Sequence, residues 1–60
     1  MKIIKTRYEL RILLNDGYNF IESFSEARLD EAKKQRFIYR SKFPNDTIEL
    51  FEIQETEKMI

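Results

Sequence analysis

The chain has no cysteine, no histidine and no tryptophan, and among its 60 residues there is one glycine and one proline. Without cysteine there is no disulfide and no thiolate metal site. Without histidine there is no imidazole ligand and no side chain whose ordinary pKa lies near neutrality. No apolar run approaches the ~20 residues of a membrane-spanning helix. The first residues, MKIIKTR, lack the apolar core of a signal peptide, so the expected location is the cytoplasm. Net charge is also lacking, since eleven basic side chains balance eleven acidic ones.

That balance hides a block pattern: residues 1–14 carry +3, residues 15–32 carry −4, residues 33–42 carry +5 and residues 43–60 carry −4. A neutral total argues against general polyanion binding. The block of Lys33, Lys34, Arg36, Arg40 and Lys42 keeps a local basic patch in play.

A chain this short forms a single domain, residues 1–60, and buries only about 60% of the surface its unfolded form exposes. Scaffolds below roughly 70–80 residues seldom draw more than about 3–5 kcal/mol from one core and usually need a staple or a partner. With disulfides and thiolate metals excluded, association is the remaining device. The expected partner is therefore another protein or a second copy.

From Ile4 onward the even positions are Ile4, Thr6, Tyr8, Leu10, Ile12 and Leu14, and the odd positions before Leu13 are charged: a strand with one buried face. The stretch LLNDGYNF then holds the lone glycine. A two-residue turn over Asp16 and Gly17 would set the apolar face of one strand against the polar face of the next. A three-residue loop, Asn15, Asp16 and Gly17, with the glycine at positive φ in a bulge, pairs Leu14 with Tyr18, Ile12 with Phe20, Leu10 with Glu22 and Tyr8 with Phe24. That register gives one continuous apolar face, with Gly17 a structural residue and not part of a phosphate loop.

SFSEARLDEAKKQRFIYRSKFP reads as a helix ending before Pro44, with Ser25 as N-cap and Phe24 stapled to Leu29. Leu29, Ala32, Arg36, Tyr39 and Phe43 recur at helical spacing, and the stems of Arg36 and Arg40 lie along apolar surface with their guanidiniums at the rim. In the competing reading, residues 36–43 form a strand, because Phe37, Ile38 and Tyr39 favour one. Strong helix formers in EARLDEAKKQR favour the helix.

After Pro44, TIELFEIQ is apolar on both sides, as a strand with both faces in use would be. The expected fold is α+β: ββαβ, a three-stranded antiparallel sheet in order 2-1-3 with one helix packed on one face. The other face then carries Leu13, Ile21, Phe51 and Ile53, with Ile3. An apolar patch of a few hundred Å² on such a face marks an interaction surface, and the edge of strand 2 is the other expected surface, for a partner protein or for a second copy in a homodimer.

Catalytic chemistry finds little footing, and no catalytic residue, metal ligand set or cofactor is expected. Ser23, Ser25 and Ser41 have no histidine to activate them, and Ser41 and Lys42, adjacent on a helix, point apart. Glu49, Glu52, Glu55 and Glu57 lack calcium-loop spacing. The layout, a small Lys/Glu/Ile-rich chain with a terminal strand reading FPNDTIELFEI, resembles small accessory proteins of bacteriophages and other mobile elements. The resemblance implies a protein that binds a host protein in the host cytoplasm and inhibits or redirects it. It transfers no functional residue. The alternative is a nucleic-acid binder using Lys33, Lys34, Arg36, Arg40 and Lys42, with Phe37 or Tyr39 for stacking. Macrodipole compensation by Glu26, Asp30 and Glu31 ahead of those cations explains the same charge order without a ligand.

Overall fold

The computed structural model describes the backbone of residues 2–58 and the side chains of residues 4–56. Two long strands, β1 (Lys2–Leu14) and β2 (Gly17–Ser25), form a hairpin. A 3-10 turn (Glu26–Arg28) leads into the helix α1 (Leu29–Lys42), and β3 (Thr47–Lys58) returns along β1. The sheet is antiparallel throughout, in order β2-β1-β3, with α1 on one face. The expected ββαβ fold is the one observed. Residues 36–42 are helical, which settles the competing strand reading.

The core lies between α1 and the even face of β1. Tyr8, Leu10, Phe24, Ala32 and Ile48 are buried, and Ile12, Ile21, Leu29, Tyr39 and Leu50 pack around them. Ala32, fully buried, lets the helix backbone approach the sheet closely, while Tyr39 stacks on Phe43 at 6.3 Å where the helix ends. Burying one Leu or Ile side chain stabilises by about 1.5–3 kcal/mol, so this short list makes a thin core. The Cα trace measures 45 × 27 × 11 Å, the flatness of one sheet and one helix. Ser25 begins the 3-10 turn in extended backbone, but its side chain makes no capping hydrogen bond.

The hairpin register is half as expected. Leu10 faces Glu22 and Tyr8 faces Phe24, but nearer the turn Leu14 faces Gly17, Leu13 faces Tyr18 and Arg11 faces Phe20. The expected pairs Leu14–Tyr18 and Ile12–Phe20 are not formed. The turn is two residues long, Asn15 and Asp16, and the extra residue sits at Ile21, where the register shifts between Leu10 and Arg11. The one-residue offset needed to bring Phe24 opposite Tyr8 exists, but in mid-strand. Gly17 keeps its expected conformational role, with φ +116 while no other described residue has positive φ. Asn19 fastens the turn by donating from Nδ2 to Asp16 Oδ1 at 3.0 Å and to the Gly17 carbonyl at 3.1 Å.

Nothing lies within 4 Å of where a Gly17 Cβ would stand, so the only penalty for a side chain there is backbone strain. Gly17→Ala should therefore lower the unfolding free energy by about 1 kcal/mol in urea titration without altering the fold. Unchanged stability would show that the turn does not need positive φ at this position.

Candidate protein-binding face

Because Tyr8, Leu10 and Ile12 point to the helix, strand alternation sends Arg7, Glu9, Arg11 and Leu13 to the opposite, uncovered face. Cross-strand partners share a face. Phe51, opposite Glu9, and Ile53, opposite Arg7, join them from β3. Tyr18, opposite Leu13, and Phe20, opposite Arg11, join them from β2. Three of the four residues expected there, Leu13, Phe51 and Ile53, are on this outer face. Ile21 is not, because the bulge turns it to the helix side, where it packs against the core. The side chain of Ile3 lies outside the described residues.

Tyr18 and Phe20 are not expected on this face from the sequence, whereas Arg11, an odd position of β1, is. Tyr18 meets Phe51 edge-on with ring centroids 5.0 Å apart, and the Arg11 guanidinium lies 4.4 Å from the centre of the Phe51 ring. The signal that places Tyr18 and Phe20 there is the two-residue turn, which shifts the aromatic half of β2 by one residue relative to a three-residue loop. Phe20 is 62% exposed and Leu13 and Tyr18 are more than two-fifths exposed, so the patch is open on its β2 side.

Arg7, Glu9, Arg11 and Glu55 on this face are paired with each other. Glu9 lies between Arg7 and Arg11 along β1: Arg7 ion-pairs with its Oε2, and Arg11 Nε donates to its Oε1 at 3.0 Å. Arg7 also reaches Glu55 Oε1 at 2.9 Å. The Glu9 side chain is only 15% exposed although it stands on the uncovered face. Its carboxyl is held below the ordinary range, chiefly by the hydrogen bond from Arg7 and further by Arg11, against the opposing effect of burial. The Arg7 guanidinium is correspondingly held more firmly protonated by Glu9 and Glu55. Across the sheet, burial pushes the Tyr8 phenol up.

The five basic helix residues do not gather. Lys33, Lys34 and Lys42 are exposed and Arg36 is half-buried, while Arg40 is bound elsewhere. Its Nε donates to the Ile48 carbonyl at 2.8 Å and its Nη2 to Glu49 at 3.1 Å, so this arginine joins the helix to β3. Helical spacing puts Lys33 and Lys34 beside Phe37, which is 72% exposed, and sends Lys42 to another side.

Other chemistry is sparse. Among the described residues no cluster of acidic side chains has metal-site geometry, and none of the helices is long and apolar enough to cross a membrane. A shallow depression beside the hairpin turn is lined by Leu13, Leu14, Asn15, Asp16 and Asp46. Its two carboxylates come from separate turns, and Asp16 already accepts a hydrogen bond from Asn19. Neither a family model, nor a curated protein, nor a solved structure matches the chain.

The paired carboxylate sets a pH dependence. A depressed folded-state pKa makes Glu9 stabilising above its unfolded value, and that contribution disappears as pH falls through the folded one. In urea titrations run from neutral to acidic pH, the protein should lose stability through the range below the ordinary carboxylate pKa, and Glu9→Gln should flatten part of that loss. Parallel pH profiles for the two proteins would rule out the ladder as its source.

Proposed function

We propose that this protein is a non-enzymatic modulator that docks its outer sheet face on another protein. The observation that carries the reading is the Tyr18–Phe51–Arg11 cluster on a flat sheet face with no covering layer. Aromatic and arginine side chains are the residue types that dominate binding energy at protein interfaces, when neighbours shield them from water. Leu13, Phe20 and Ile53 are placed to be such neighbours. The Arg7–Glu9–Arg11 ladder adds to this, since side chains already held in ion pairs lose less freedom when a partner covers them. The resemblance to phage accessory proteins makes the partner a host protein in the host cytoplasm, which binding would block or redirect.

The experiment is capture from host lysate on immobilised protein, with nuclease. Proteins retained by the wild type should survive nuclease and should be lost with Phe51→Glu, whose circular dichroism stays that of the folded chain. Once a partner is in hand, the substitution should weaken binding by about 30-fold or more, as for an interface centre worth ~2 kcal/mol. Retention that ignores Phe51→Glu would remove the outer face from consideration.

One observation favours a second reading, nucleic-acid binding by the helix: Phe37 stands exposed between Lys33 and Lys34 and is free to stack on a base. That site would bind DNA or RNA with a steep salt dependence, and Lys34→Ala would lower the slope of log K against log salt by roughly one. Binding that is absent, or indifferent to salt, eliminates it.

A further inference from the structure

The sheet has two open edges, and they are built differently. β3 carries Glu49, Glu52 and Glu55 along its length, and Arg40 comes from the helix to take the Ile48 carbonyl. Charges and covering side chains are the usual means of keeping an edge strand from pairing with another chain. β2, GYNFIESFS, has no lysine, no arginine and no proline, and its one charge is Glu22. Besides that carboxylate, the strand's deterrent is the bulge at Ile21. It leaves the turn-side half, Gly17–Phe20, as regular strand, and that half presents the exposed Tyr18 and Phe20.

We propose that a second copy of this chain pairs antiparallel along β2, joining two three-stranded sheets into one of six strands. Antiparallel pairing of a strand with its own copy requires a two-fold axis normal to the sheet. Both helices then lie on one side and both outer faces on the other, and such an isologous contact closes at two subunits.

Charge separates this pairing from the alternative at β3. With a single carboxylate on β2, like charges meet only where Glu22 lies at the axis, whereas antiparallel pairing of β3 on itself sets Glu49 opposite Glu55 when Glu52 lies at the axis. The chain's zero net charge adds no long-range repulsion between copies. The joined faces place Tyr18 and Phe20 of both copies side by side, so the aromatic contact between Phe51 and Tyr18 continues across the junction. The pairing goes beyond the outer-face reading and can fail separately from it.

The test is sedimentation velocity on the full chain over a concentration series, with Phe20→Lys, Ser23→Lys, Thr56→Lys and Phe51→Glu. The wild type should sediment as two chains at high concentration and dissociate on dilution, and β2 amides should exchange more slowly as concentration rises. Either β2 lysine should weaken association roughly tenfold or more by putting a long charged side chain on the pairing edge, where a second strand would have to bury it. Thr56→Lys on β3 and Phe51→Glu on the outer face should leave the dimer in place. Phe20 is 62% exposed, so its lysine variant should keep the folded spectrum even if Ser23→Lys does not. A monomer at every concentration overturns the proposal, as does a dimer that ignores both β2 lysines or one lost only with Thr56→Lys or Phe51→Glu. Loss of partner capture by Phe51→Glu with the dimer intact would uphold both readings, and an intact dimer without capture would uphold this one alone.

Discussion

The arrangement of the whole molecule depends on one extra residue in β2. Side chains alternate across a strand with a period of two, so a one-residue change of register moves every later side chain to the other face. With a two-residue turn and no bulge, Phe24 would not face Tyr8, and the core would lose one of its few large side chains. With the offset at the turn instead, Phe20 would go with Ile12 toward the helix and Ile21 toward the outside. Placing the offset at Ile21 satisfies both halves: Ile21 and Phe24 join the core, and Tyr18 and Phe20 go to the outer face beside Phe51. The bulge thus divides the apolar residues of β2 between the core and the candidate binding face.

The outer face is held by polar contacts as much as by apolar ones. Ion pairs whose guanidiniums are as exposed as those of Arg7 and Arg11 contribute about 0–1 kcal/mol each, a small share of the stability. Their effect is geometric. Two guanidiniums on one carboxylate fix a row of long side chains along β1, and Arg11 is thereby held over the Phe51 ring. Arg40 has a comparable role at the opposite side of the sheet. By linking α1 to β3 it ties the helix C-terminus to the strand that follows it, and it occupies a carbonyl that an incoming strand would need.

Much of this was legible from residues alone. The even-position run in β1, the helix formers from Glu26 to Lys42 and the two-sided TIELFEIQ together specify ββαβ and the order 2-1-3. The helical stripe correctly put Leu29, Ala32 and Tyr39 against the sheet, and alternation put Leu13, Phe51 and Ile53 on the far side. Helical spacing alone lays the Arg40 stem along apolar surface. Its actual partners, the Ile48 carbonyl and Glu49, belong to a strand that only the fold brings near.

What the sequence by itself determined was the element order, the strand pairing and the presence of a net one-residue offset between β1 and β2. These follow from periodicity, which every residue of an element shares. Where the offset sits was decided by tertiary structure, because a bulge leaves the same net shift whether it is placed at Gly17 or at Ile21. The choice turns on what each face can offer. The core has room for Ile21 beside Leu10, and the outer face has Phe51 and Arg11 to receive Tyr18, contacts between strands far apart in the chain that no local pattern records.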